Sequence, residues 1–331
     1  MSAGGASGLR EALEARQVAI YFAAVLAAAG LGAAVPGAAA LEAAINPALA
    51  IMLFATFLQV PLADLGRALT RVRFLGALLA ANFLVAPLLV LALVQMLPPD
   101  PLLRLGVLLV LLAPCIDYVV TFAHIGRADA RLLLAATPVL LLVQMLLLPA
   151  YLGLFLGDAA AGLVRAEPFL HAFAWLIAAP LALAAAVQAL ARRGKGGAGG
   201  ERLLGVLGLL PVPATAVVLF VVVASVTPQL GLALDGAVRA LPLYVAYAVL
   251  APLLGWGVAR LARLDAPAGR AVAFSAGTRN SLVVLPLAFA VPGGAPLLPA
   301  VVVLQTLVEL GASLAYMRLI PRLGARGAAS R

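Results

Sequence analysis

The chain has 331 residues, of which 65% are hydrophobic and only 11% charged, too little polar surface for a water-soluble domain of this length. Its formal net charge of +9 does not mark a nucleic-acid binder, because the basic residues alternate along the chain instead of gathering into one patch. The single cysteine excludes an internal disulfide and any cysteine-cluster metal site.

Apolar runs long enough to cross a bilayer recur from end to end. Residues 1–16 are polar and rich in Gly and Ala, with no cleavage-site pattern, and are expected to be a retained N-terminal segment. Ten spans are predicted in order: about 17–36, 46–65, 74–97, 102–125, 130–156, 168–191, 206–227, 239–261, 269–291 and 296–320. A basic tail follows at 321–331. Nothing between the spans reads as a soluble domain or a nucleotide-binding loop, and no cofactor or resident metal is expected. Eighteen of the 22 Lys and Arg residues fall on one set of alternate connections and the termini. Three (Arg104, Arg165 and Arg239) fall on the other set, and Arg279 lies within a span. Positive loops stay inside, so both termini are expected in the cytoplasm of a multi-pass inner (plasma) membrane protein.

The chain resembles itself at a displacement of 165–166 residues. Pro47 pairs with Pro213, Pro87 with Pro252, Gln144 with Glu309, and Cys115 falls opposite Ser281. The first half is then 17–157 and the second 158–320, five spans each. An odd number per half makes the second repeat inverted, an organisation common in secondary transporters, whose sites lie at broken helices near the midplane. The fourth span carries "LAPCID" (112–117) and the ninth "SAGTRNS" (275–281), both in mid-span. Proline and small polar residues at that depth are tolerated where backbone lines a protein-enclosed cavity. Spans four and nine are therefore predicted to be discontinuous.

Charges within the spans mark the candidate site. Asp117, Arg279 and Glu309 are costly in hydrocarbon and usually face a cavity or one another. Asp117 reads either as a partner for Arg279 or as a proton carrier, since burial favours the uncharged carboxyl. Glu309 carries the same two readings, and its repeat partner Gln144 is the neutral version. Arg279 reads either as an anion-binding group or as a fixed positive charge where a carrier would otherwise hold a cation. Cys115 is either a small buried hydrophobe or a soft ligand for a thiophilic solute. Asn280 and Ser281 supply polar groups at the second break. His124 and His171 fit interfacial positions, and no paired-aspartate, Ser–His or zinc-ligand arrangement indicates an enzyme.

With these residues in view, the chain resembles the bile acid:sodium symporter superfamily and, within it, the ten-span arsenite efflux permeases, over about residues 46–320. The resemblance is carried by "ANFLVAPLLVLAL" (81–93), "CIDYVVTFAHIGRAD" (115–129), "TRNS" (278–281) and "TLVELGASL" (306–314). It implies a core bundle of spans 3–5 and 8–10 and a panel of spans 1–2 and 6–7. It also carries the permeases' required fourth-span cysteine onto Cys115 and their tenth-span glutamate onto Glu309. The departures are specific. Leu282 stands where arsenite permeases have a ninth-span glutamate, and Ser275 and Arg279 stand where sodium-coupled relatives have Glu and Gln. An arginine in a carboxylate-free site does not suit a cation, so the sodium site is expected to be absent.

The expectation is an all-α secondary transporter with two inverted five-helix repeats, not an enzyme. Its partners would be the bilayer and a small solute, with a proton as coupling ion. Efflux of arsenite or another trivalent metalloid by antiport is the first functional reading. A carrier of a small organic anion and a non-transporting membrane sensor or partner subunit are the alternatives.

Overall fold

The computed structural model describes residues 3–59, 70–116, 118–157, 171, 173–193 and 198–324. Those residues are overwhelmingly helical, with no strand beyond a single isolated bridge. The order is α1 (Ala3–Ala34), a 3-10 segment (Pro36–Ala44) leading into α2 (Ile45–Gln59), then α3 (Val72–Ala80), a π segment (Ala81–Val85) and α4 (Ala86–Val94). Next come α5 (Pro101–Leu111), α6 (Val119–Ile125), α7 (Ala130–Leu156), a second π segment (Phe173–Ala178) and α8 (Ala179–Arg193). The rest is α9 (Ala198–Leu207), α10 (Pro211–Val238), α11 (Leu241–Leu261), α12 (Ala266–Gly277), α13 (Ser281–Ala290) and α14 (Leu297–Leu319).

Among the described residues seven continuous helices are long and apolar enough to cross a membrane. They correspond to predicted spans 1, 2, 3, 5, 7, 8 and 10. The other three fall short for identifiable reasons. Span 4 is divided between α5 and α6, and span 9 between α12 and α13. Span 6 overlaps the shorter apolar helix Ala179–Ala191, and its beginning lies outside the described residues. The N-terminal segment is helical from Ala3 onward, continuous with the first span, and is held on its exposed side by Arg10 Nε donating to Glu14 Oε1 at 2.7 Å. Large apolar side chains stand on outer faces, Leu146 and Leu154 of α7 being 77% and 75% exposed, as expected of surfaces that meet lipid rather than water.

The chain divides into two units, Met1–Leu62 with Glu167–Gly231, and Ala63–Ala166 with Leu232–Arg331. This follows the division into panel and core spans implied by the resemblance. In the first unit, Gln188 Nε2 on α8 donates to the carbonyls of Phe57 and Leu58 at the end of α2, at 3.3 and 3.2 Å. In the same unit Gly32 of α1 lies so close to α10 that a Cβ there would meet the Thr227 side chain at 2.6 Å.

In the second unit α11 and α12 pack tightly at Gly255, where a Cβ would sit 2.6 Å from that of Ala276. Two prolines organise this unit. A proline has no N–H, so the carbonyl four residues earlier loses its helical partner. Pro87 frees the carbonyl of Phe83, which accepts from the Tyr151 hydroxyl. Pro252 frees that of Ala248, which accepts from the Tyr316 hydroxyl. Donor, acceptor and proline are each 165 residues apart in the two cases. The self-resemblance of the sequence is thus matched by an equivalent long-range hydrogen bond.

Candidate functional site

The two breaks lie together in the second unit. Helix α5 starts with Asp100 as N-cap, its Oδ1 accepting from Leu102 N and Leu103 N at 3.0 and 3.2 Å, and it ends at Leu111, just before Pro114. Helix α12 is capped by Asp265 and ends at Gly277, and after two intervening residues Asn280 caps α13, its Oδ1 accepting from Val283 N at 3.3 Å. The extended residues between the half-helices pair in an antiparallel bridge between Pro114 and Arg279. Cys115 N donates to Thr278 O at 3.2 Å, and Asn280 N to Ala113 O at 2.7 Å. Each bond maps onto the other at a displacement of 165. The pairing sets Cys115 opposite Thr278 and Ala113 opposite Asn280, and the displacement of 165 makes Asn280 the equivalent of Cys115, one residue from the Ser281 expected from sequence.

Arg279 is completely buried. Its Nη2 donates to Asn82 Oδ1, Ser275 O and Ala276 O at 2.8, 2.9 and 2.7 Å, and its Nη1 to Leu111 O at 3.4 Å. Leu111, Ser275 and Ala276 lie in the last turns of α5 and α12, where carbonyls have no helical partner. The guanidinium therefore terminates two half-helices at once, and its charge meets the negative ends of both dipoles. The Tyr247 ring lies beneath it, 5.3 Å from centroid to Cζ. Asn82 lies in the π segment that precedes Pro87, and its Nδ2 donates to Leu78 O and Ser275 Oγ at 3.0 and 2.9 Å, which leaves Oδ1 facing the arginine. Among the described residues Arg279 Nε has no partner.

Glu309 joins the same centre from α14. Its Oε1 accepts from the Tyr118 hydroxyl at 2.7 Å, and its Oε2 from Arg279 N at 2.6 Å and Gln305 Nε2 at 2.7 Å. Three hydrogen bonds satisfy a buried carboxyl without an ion pair, and among the described residues the only ion pair is Arg10 with Glu14. Ser281 Oγ accepts from Thr306 Oγ1 at 2.7 Å, which ties the start of α13 to α14.

Of the residues singled out from sequence, Cys115, Arg279, Asn280, Ser281 and Glu309 converge on the crossing, and the first four lie in or beside the breaks. Cys115 is fully buried, with its backbone in the bridge. Gln144 is fully buried on α7, and neither polar atom of its side chain finds a partner among the described residues, so no hydrogen bond connects it to Glu309. Asp117 lies outside the described residues. Asn82, Ser275 and Gln305 carry more of the site than their residue types alone reveal. The one available signal was polarity inside an apolar span, with Gln305 one helical turn before Glu309.

The chain matches the Sodium Bile acid symporter family over residues 46–231, more than half of its length. The match includes Asn82 and the first break but not the second break or Glu309. No curated protein matches the chain. A multi-pass arrangement of apolar helices together with that match defines a transporter, and the chain belongs to the Sodium Bile acid symporter family of membrane transport proteins.

Proposed function

We propose that this protein is a sodium-independent secondary transporter of ten spans in two inverted five-helix repeats. In this reading it exports arsenite or a related trivalent metalloid in exchange for protons across the plasma membrane, with both termini cytoplasmic. The observation that carries the reading is the buried Arg279 guanidinium, held by three helix-terminal carbonyls and an amide oxygen. A ring of carbonyl oxygens at the negative ends of two half-helices is the kind of place that holds a cation in a discontinuous-helix carrier. Here the cation is covalently part of the chain, so a sodium ion has no place at that position. The paired hydrogen bonds at a displacement of 165 support the inverted repeat. The two breaks and the partly described sixth span support counting ten spans rather than the seven continuous ones.

Without sodium, the driving ion has to be taken up elsewhere. Glu309 is the described carboxyl at the crossing, where it accepts three hydrogen bonds. Protonation would weaken its hold on Arg279 N, and so on the bridge itself. That connects proton binding to the geometry of the crossing, where the two-bundle motion of alternating access would act. Asp117 is a second proton carrier in this reading. Cys115 supplies the soft contact for trivalent arsenic beside the break, with Asn280 and Ser281 as polar neighbours. In a metalloid-sensitive host, expression of the protein should raise arsenite tolerance several-fold, and Cys115→Ser should return it to that of the empty vector at equal protein level. Undiminished tolerance with serine at this position would rule out the thiol contact.

A small organic anion is the second reading, favoured by the family's name. It is less well supported by the geometry, because each of Arg279's side-chain hydrogen bonds among the described residues already goes to a neutral oxygen of the protein.

A further inference from the structure

A cavity of about 490 Å³ lies at one end of the second unit, where the starts of α3, α7 and α12 meet the end of α11. It lies at the start of α12, the opposite end of that helix from the second break, and the transport chemistry makes no use of it. Arg71, Arg73 and Arg263 line it, with Asp265 as the one acidic residue. Among the described residues none of the three arginines pairs with a carboxylate. Asp265 is engaged as the N-cap of α12, with Oδ1 accepting from Ala268 N at 3.2 Å. Among the described residues the local excess of positive charge is therefore uncompensated.

Two further features show what would compensate it. Arg263 holds φ +54, just beyond the end of α11, where glycine is the usual residue because a side chain is strained there. The chain thus presents a cationic side chain into the cavity at a backbone position that does not favour one. Apolar residues open to the surroundings stand in the wall of the cavity, at Val72, and two residues before Arg263 in sequence, at Leu261. Val72 is 72% exposed and Leu261, at the end of α11, 86% exposed. Side chains of that kind belong against acyl chains, not water.

We propose that this cavity is a binding site for the phosphate of an anionic membrane lipid, with the arginine forks taking its oxygens and the acyl chains running past Val72 and Leu261. Guanidinium groups suit such a ligand because they bind phosphate oxygens in pairs, and basic pockets between spans at a membrane face are suited to lipid headgroups. Inorganic phosphate offers the same oxygens without the chains, so the two sources can be separated by experiment.

Purified full-length protein in neutral detergent is titrated with phosphatidylglycerol, phosphatidylcholine or inorganic phosphate, and bound lipid is read by native mass spectrometry alongside the melting temperature. Phosphatidylglycerol should be retained and should raise the melting temperature, and phosphatidylcholine should do neither. The combined Arg71→Gln, Arg73→Gln, Arg263→Gly variant should lose at least fivefold in retained phosphatidylglycerol. Arg263→Gly alone removes a charge while relieving the backbone, so it should lose retention without losing stability in lipid-free detergent. Asp265→Asn keeps the helix cap and removes the repelling charge, so it should increase retention. Equal retention of the two lipids, or undiminished retention by Arg263→Gly and the combined variant, would overturn the proposal. A stabilisation by millimolar inorganic phosphate with no retained phosphatidylglycerol would overturn the lipid source.

Discussion

Replacing Arg279 with glutamine is expected to abolish transport and to destabilise the protein by several kcal/mol, since each buried acceptor left without a donor costs about 1 to 3 kcal/mol. The guanidinium satisfies Leu111 O at the end of α5 and Ser275 O and Ala276 O at the end of α12. Glutamine brings one amide group to acceptors on two different helices and carries no charge to oppose their dipoles. Arg279→Lys should recover little, because a compact ammonium on a flexible stem lacks the planar fork that reaches both helix ends. Thermal unfolding in detergent and solute flux in proteoliposomes measure the two effects. Full flux from a stable Arg279→Gln protein would show that the fixed cation is dispensable.

The second large effect is expected at Glu309, and it has a different character. Glu309→Gln should fold normally, yet lose at least tenfold in flux driven by a pH gradient while retaining solute exchange at equal pH on both sides. Glutamine keeps an oxygen to accept from Arg279 N. With that oxygen at the Oε2 position it still accepts from Gln305 Nε2 as well, and the new N–H₂ takes the Oε1 position, facing Tyr118. The Tyr118 hydroxyl can reverse its role, because a phenol both donates and accepts. The substitution therefore imitates the protonated carboxyl permanently. Counterflow of labelled solute gives the exchange rate, and an imposed pH gradient gives the driven rate. If both fall in parallel, Glu309 shapes the crossing without carrying the proton, and if neither falls the proton binds elsewhere.

The long continuous helices were legible in the sequence because hydropathy over some twenty residues is a one-dimensional property. Both breaks were legible too, since Pro114 and the run from Ser275 to Ser281 have no reason to sit in lipid unless the backbone there is satisfied by protein. What these residues touch was not legible. Nothing in the sequence near Asn82 says that its amide oxygen meets Arg279, 197 positions away. Nor does the sequence around Tyr118 say that its hydroxyl reaches Glu309. Such contacts are set by how the half-helices pack in three dimensions. Sequence placed a charge of uncertain purpose at Arg279, whereas the structure places it among the carbonyls of two helix ends. One missed signal was available. Tyr151 and Tyr316 stand 165 apart, as do Pro87 and Pro252. Taken together they define the proline-freed carbonyl and its hydroxyl donor in each half, a stronger mark of the repeat than any apolar match.

A chain that carries its own cation at the crossing, as proposed, should transport without sodium. The most direct measurement is arsenite flux into everted or reconstituted vesicles under four conditions: a pH gradient, a sodium gradient, both, and neither. The account expects the pH gradient alone to drive accumulation, with sodium changing the rate by less than twofold. Accumulation driven by the sodium gradient alone would contradict it.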